Sequence, residues 1–170
     1  MSTAEQYGPF RKRLDAFIEG AKRIHVGDVE ALHHTRVASR RLRELVPLLE
    51  LDRDPVEKLS QQLGRVTKRL GKVRELDVLM LLIKELSRDG EYPSTALPQL
   101  ETEVGDARKD ARERLATKLP PKRLDRIAAR LQRVATHLES RDRKKHRRTI
   151  RGPRQGWLLA LGARVARRPT

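Results

Sequence analysis

The chain has 170 residues, of which 39 are Lys or Arg and 23 are Asp or Glu, so its net charge is +16. A charge this large and of one sign predicts a polyanionic partner, such as nucleic acid, an anionic membrane surface or polyphosphate. The absence of cysteine excludes disulfides, thiolate metal sites and cysteine nucleophiles. The scarcity of aromatic residues, at 3%, argues against binding of single-stranded nucleic acid by base stacking, although arginine can stack in their place.

The N-terminal segment lacks the apolar stretch of a signal peptide, and no apolar run approaches the roughly 18 residues of a membrane span. We therefore expect no membrane span and a cytoplasmic protein. Leu, Arg, Ala, Glu and Lys dominate, and no sustained alternation of apolar and polar residues indicates a strand. The sequence predicts an all-α fold, an antiparallel helical bundle with long helices.

The first two predicted helices cover residues 4–24 and 28–50. Asp28 is suited to be the N-cap of the second helix, because its carboxylate can accept a hydrogen bond from a first-turn amide. Pro47 is expected to kink the second helix or tighten its end, since proline cannot donate the helical hydrogen bond.

The third predicted helix begins at a turn whose Pro55 suits a helix N-terminus, and it runs toward Leu70. Gly71 is predicted to break or bend this helix, which then continues over 72–87. A loop is predicted over 89–94, where turn-forming residues are concentrated.

Two further helices are predicted at about 95–118 and 121–139, separated by a pair of prolines. The basic segment 140–156 contains Gly and Pro and is interpreted as a flexible linker. A short last helix is predicted over 157–168.

The second predicted helix carries a basic stripe. Four cationic side chains fall within about 80° of its circumference: His33, Arg36, Arg40 and Arg43. No acid lies between Glu30 and Glu44 to balance them. The stripe predicts an anion-binding face, although a solvated face, with His33 simply packed into the helix surface, would show the same pattern.

The third predicted helix repeats this arrangement, with four cations within about 100°: Arg65, Lys68, Arg69 and Lys72. If two such helices are adjacent and antiparallel, their stripes could line a shared groove or channel. Such a groove would concentrate positive potential along the path of a phosphate chain.

Two segments resemble the signature segments in the N-terminal half of CHAD domains, the conserved histidine α-helical domains. The first is Leu32-His33-x-x-Arg36-Val37-Ala38-x-Arg40-Arg41-Leu42-Arg43. The second is Leu70-Gly71-Lys72-x-Arg74-Glu75-Leu76-Asp77-Val78-Leu79, in which Glu75 stands where the family usually has Asp.

The resemblance implies a helical bundle of two pseudo-symmetric halves around a basic pore that binds inorganic polyphosphate. With the two stripes, it implies these polyphosphate-binding residues: His33, Arg36, Arg40, Arg43, Arg65, Lys68, Arg69, Lys72 and Arg74. Asp77 is expected to orient Arg74 or an arginine of the second helix, and a plain surface pair with Arg74 is the alternative.

A second histidine–arginine motif, which the family carries in its C-terminal half, is not found in this sequence. We therefore expect a half-domain bundle over 1–139, a basic linker over 140–156, and a short helix over 157–170 that begins a second half. The chain is then either a fragment or a natural half-domain, and a homodimer could complete the pore. A CYTH-type partner acting in trans is a further expectation.

No carboxylate cluster, nucleophile–base pair or metal-ligand spacing can be assembled from this sequence. We expect a non-enzymatic protein without cofactor or metal, which binds polyphosphate for scaffolding, for targeting to polyphosphate granules or for regulation. Two alternatives stay open: a non-specific nucleic-acid-binding protein, and an accessory module of an enzyme that processes polyphosphate or triphosphate.

Overall fold

A computed structural model describes residues 3–49, 51–89 and 96–151. Every regular element within these ranges is helical, as predicted, and five α-helices account for most of them. They are α1 (Thr3–Arg23), α2 (Val29–Leu45), α3 (Arg53–Asp89), α4 (Ala96–Lys118) and α5 (Pro121–Arg151). None of these helices is both long enough and apolar enough to cross a bilayer.

The turn between α1 and α2 has the predicted N-cap. The Asp28 carboxylate accepts a hydrogen bond from the Ala31 amide at 2.9 Å and also pairs with Arg23. The preceding Gly27 has a φ of 83°, which glycine adopts without steric cost. A left-handed glycine followed by a side-chain cap reverses the chain, so α2 runs back along α1.

The end of α2 differs from its predicted position, because the α-helix stops at Leu45 and not at residue 50. Pro47 lies in the 3₁₀ turn Val46–Leu48 that follows. Proline has no amide hydrogen for the i→i−4 bond, so the chain tightens here. Of the two predicted effects of Pro47, the tightened end is the one observed.

The predicted break at Gly71 is wrong, since α3 is a single helix through that position. Gly71 is buried, and its neighbours Leu70 and Val73 are fully buried in the core. A glycine costs a helix only about 1 kcal/mol relative to alanine, and burial of two such side chains outweighs that cost.

The helices pack as an antiparallel bundle around one apolar core. Ser39 of α2 meets Thr67 of α3, with 2.9 Å between their hydroxyl oxygens, and Asp77 of α3 meets Arg108 of α4. The last helix, α5, packs on α1, where Tyr7 donates a hydrogen bond to Glu139. The fully buried side chains include Phe10, Phe17, Leu42, Leu63 and Leu131.

The predicted end of the fifth helix at residue 139 is also wrong, because α5 continues to Arg151. The segment 140–151 contains neither Gly nor Pro and is rich in Lys and Arg, which favour helix. The first part of the predicted flexible linker is therefore helical. The rest of that linker, the last predicted helix and the predicted loop after Asp89 lie outside the described residues, and the proposed division into domains stays a prediction.

Candidate functional site

The basic stripe of α2 lies along its contact with α3. The Arg36 Nε atom is 3.5 Å from the point where a Cβ would stand at Gly71, and the Arg43 Nη1 atom is 3.5 Å from the equivalent point at Gly64. Arg36 and Arg43 are seven residues apart on α2, and Gly64 and Gly71 are seven residues apart on α3. Two turns of α2 therefore face two turns of α3 along the contact. Because glycine has no side chain, both arginine side chains can lie close to α3 at these positions. We call the surface formed by His33, Arg36, Arg40, Arg43 and Arg74 the α2–α3 groove.

Two nitrogens of this groove are buried without a hydrogen-bond partner among the described residues, His33 Nδ1 and Arg36 Nε. Buried polar atoms of folded proteins are nearly always paired with protein or water, so each unpaired one needs an explanation. Neither side chain forms an ion pair with a described carboxylate. Each of the two nitrogens keeps an unused hydrogen-bonding capacity that a water molecule or an anion reaching it could fill.

The positive field of the groove acts on His33. Burial lowers the pKa of the His33 imidazole below its ordinary value of 6.5, and the nearby charges of Arg74, His34 and Arg36 lower that pKa further. Glu30 opposes these effects and raises it. In the free protein His33 is therefore mainly neutral at pH 7.

The outer part of the stripe is more exposed and partly paired. Arg40 and Arg41 both contact Glu44, at 3.2 Å and 3.0 Å, and together they lower the pKa of that carboxyl. Ion pairs this exposed contribute little to stability because solvent screens them. A polyanion can therefore compete with Glu44 for Arg40, whereas Arg36 needs no such exchange.

The predicted basic stripe of α3 lies on other sides of that helix. Arg65 and Arg69 line a cavity with arginines of α5, and Lys68 and Lys72 line a second cavity with Arg114 of α4. On a helical wheel, Arg65 lies about 110° and Arg69 about 150° from the Gly64 and Gly71 face that meets α2. Arg65 and Arg69 therefore lie away from α2 and outside the groove. Arg74 is the α3 cation whose charge acts on His33 of the groove.

The partners of Asp77 differ from the predicted ones. Its carboxylate is 1% exposed and accepts hydrogen bonds from Arg108 at 2.6 Å and from Arg112 at 3.3 Å, both on α4. It pairs neither with Arg74 nor with an arginine of α2, and it is not a surface residue. Its observed partners join α3 to α4.

Sequence reasoning missed five arginines that the fold brings to these places: Arg108, Arg112, Arg123, Arg126 and Arg130. The first two are four residues apart on one face of α4, and the other three fall within about 60° of α5. This spacing was visible in the sequence. Which face of α3 each set would meet depends on how the helices pack, which the spacing alone does not specify.

Metal-ligating residues are dispersed in the described part of the chain, where no three His, Asp or Glu side chains come together in a way that could hold a metal ion. The available chemistry of the groove is that of hydrogen-bond donation and positive charge. Such a site holds anions by contact with their oxygens.

Comparison with known proteins agrees with the helical architecture and the histidine–arginine segment. The family model described as CHAD domain matches residues 9–169, nearly the whole chain. The comparison with curated proteins and that with solved structures each returned no match. The match extends through all five helices and past the end of α5, and the chain belongs to the CHAD domain family.

Proposed function

We propose that this protein binds inorganic polyphosphate in the α2–α3 groove and does so without catalysing a reaction on it. The observation that carries the proposal is the pair of buried nitrogens, His33 Nδ1 and Arg36 Nε, which lack partners among the described residues. Membership of the CHAD domain family supports the same ligand class. Granule targeting or regulation of a partner would follow from such binding.

Phosphate suits these residues for physical reasons. A guanidinium group can donate two parallel hydrogen bonds to one phosphate, and each charge-assisted contact contributes roughly 1.5–3 kcal/mol. Arg36 and Arg43 lie along one line of α2, about 10 Å apart, so phosphates some units apart in one extended chain can contact both residues. The groove thus favours a linear polyanion over a single phosphate.

The proposal predicts that changing Arg36, Arg40 and Arg43 together to Ala weakens binding of long-chain polyphosphate at least a hundredfold. The variant should remain folded, because Arg40 and Arg43 are exposed and Arg36 forms no ion pair with a described residue. Affinity is measured by fluorescence titration with labelled polyphosphate, and folding by circular dichroism.

The matched control changes Arg53, Arg88 and Arg133 to Ala, which removes the same charge from exposed positions outside the groove. This control should lose less than tenfold in affinity, since only long-range attraction changes. Equal losses in the two triple variants would overturn the proposal, because binding would then depend on net charge alone.

A second candidate function is non-specific binding of nucleic acid, favoured by the basic end of α5. The segment 140–151 is helical and contains a single acid, Asp142, among its Lys and Arg residues. Such a helix can contact phosphates of any nucleic acid with strongly salt-dependent affinity. Direct competition between polyphosphate and DNA separates the two candidates.

A further inference from the structure

A second basic surface lies where α3 meets the turn between α4 and α5. It encloses a cavity of about 340 Å³ lined by five arginines, which we call the arginine cavity: Arg65, Arg69, Arg123, Arg126 and Arg130. Arg65 and Arg69 project from the side of α3 turned away from the α2–α3 groove. The cavity and the groove therefore use different side chains on different faces of α3.

Part of this cluster has a structural role. Arg69 donates a hydrogen bond through Nη1 to the Lys118 carbonyl at 2.6 Å, and Arg123 donates a longer one to the same oxygen at 3.4 Å. The Lys118 carbonyl lies at the end of α4 and has no hydrogen-bond partner within its own helix, so these two bonds satisfy it. Capping one carbonyl accounts for two arginines of the five and leaves the other three unexplained.

The remaining arginines have no comparable role. Arg126 donates to the Lys122 carbonyl of its own helix at 3.2 Å. Within the described ranges, none of the five arginines forms an ion pair with a carboxylate. Burial, together with the charges of Arg123 and Arg65, lowers the pKa of the Arg69 guanidinium, so the fold holds these cations close despite their repulsion.

The surroundings of the cavity favour a bound anion further. α5 begins at Pro121, directly after the lining residue Pro120, so the positive end of its helix dipole lies near the arginines. The apolar side chains of Val66, Leu119 and Ile127 form part of the lining. Apolar walls reduce solvent screening, which strengthens attraction between the guanidinium groups and an anion.

We propose that the arginine cavity is a second anion site, for a compact polyanion of the pyrophosphate or tripolyphosphate class. Its five charges match a ligand that carries several negative charges in a small volume. The cavity volume of about 340 Å³ suits a short ligand, whereas the basic residues of the α2–α3 groove are spread over nearly three turns of α2. The inference does not depend on the proposed function, because no residue of the groove takes part in it.

The test is isothermal titration calorimetry with tripolyphosphate at near-physiological salt. The full chain is compared with a variant in which Arg65 and Arg130 are both changed to Ala. Neither side chain has a hydrogen-bond or ion-pair partner among the described residues, so the variant should remain folded. We expect at least a tenfold loss of affinity. An Arg65→Lys and Arg130→Lys variant keeps the charge without the guanidinium fork and should lose an intermediate amount.

Two comparison variants complete the design. Changing Arg53 and Arg88 to Ala removes equal charge elsewhere on α3, and the Arg36, Arg40 and Arg43 triple variant removes the groove. Both variants should keep a tripolyphosphate affinity within about threefold of that of the parent. The charges that they lose lie far from the cavity, and salt largely screens their attraction for the ligand.

The inference is overturned if the parent does not bind tripolyphosphate, if the Arg53 and Arg88 variant loses as much affinity as the cavity variant, or if only the groove variant loses it. Long-chain polyphosphate titrated into the same variants tests the groove separately. The failure of one site is therefore distinguishable from the failure of the other.

Discussion

Asp77 and His33 differ in what their buried polar atoms contact. The Asp77 carboxylate is held by two arginines of α4, and its contacts lie inside the protein. His33 has a buried ring nitrogen without a partner among the described residues, next to an arginine in the same condition. Asp77 therefore joins α3 to α4, whereas ligand contact by His33 is part of the proposed function.

Replacing Asp77 by Asn is expected to lower the free energy of unfolding by about 2–3 kcal/mol. Removing one partner of a fully buried pair costs about 3–5 kcal/mol, and the loss is smaller here because Arg108 and Arg112 remain 33% and 22% exposed. Urea unfolding measures the change.

The control for this prediction is Asp110→Asn. Asp110 forms an exposed pair with Arg114 at 3.8 Å, and such pairs contribute about 1 kcal/mol or less. If the two variants unfold at the same urea concentration, the contact between Asp77 and α4 is not a stabilising one.

Polyphosphate affinity is expected to rise as the pH falls from about 8 to about 5.5, the range in which histidine titrates. The pKa of free His33 lies below 6.5, and a bound anion stabilises the imidazolium and raises that pKa. Linkage then requires tighter binding as the pH falls through the pKa of the bound state, with the gain complete below the pKa of the free state.

His33→Gln should flatten this pH profile, while His137→Gln, at an exposed position of α5, should leave it unchanged. Both variants are titrated with polyphosphate at constant ionic strength. A profile that stays the same without His33 would contradict the role of this residue.

At the level of the helices, local signals predicted starts better than ends. The Asp28 cap and the proline at position 121 determine the starts of α2 and α5 through local contacts, so the sequence predicts those two starts closely. Gly71 was a false break because Leu70 and Val73 are buried in the core, and α5 was underestimated because high charge was interpreted as disorder. Packing and helix propensity outweighed both signals.

The contact between α1 and α2 depends on the absence of a side chain at Gly20. A methyl group there would overlap the Thr35 hydroxyl and stand 3.1 Å from the Ala31 carbonyl oxygen. Gly20→Ala is therefore expected to destabilise the protein by about 1–3 kcal/mol, the usual cost of overpacking. Thermal unfolding followed by circular dichroism measures it.

Gly105 of α4 is the matched control, since a Cβ at this position would have no neighbour within 4 Å. Gly105→Ala should stabilise the protein by about 0.5–1 kcal/mol through helix propensity. Destabilisation by both substitutions would mean that the close approach of α1 and α2 is not what makes Gly20 important.

The whole chain carries a net charge of +16, and its described helices form two separate basic surfaces, the α2–α3 groove and the arginine cavity. The residues of the α2–α3 groove on α2 were predictable because they share one face of one helix. The division of the α3 cations between the groove and the arginine cavity was not predictable, because it depends on which neighbour packs on each face. A homodimer that completes a pore and a CYTH-type partner stay predictions.

The central claim is that a structured basic site, and not net charge, selects polyphosphate. The most direct measurement is a competition titration of labelled long-chain polyphosphate against single- and double-stranded DNA at equal phosphate concentration. It is run at low salt and at about 0.15 M salt, where the Debye length falls to about 8 Å.

We predict that polyphosphate remains preferred over both forms of DNA at the higher salt concentration. Buried donors such as Arg36 Nε are screened less than exposed charges, so their contribution should persist. Equal displacement by DNA, with all binding lost at the higher salt concentration, would contradict the account and would favour a basic surface without selectivity.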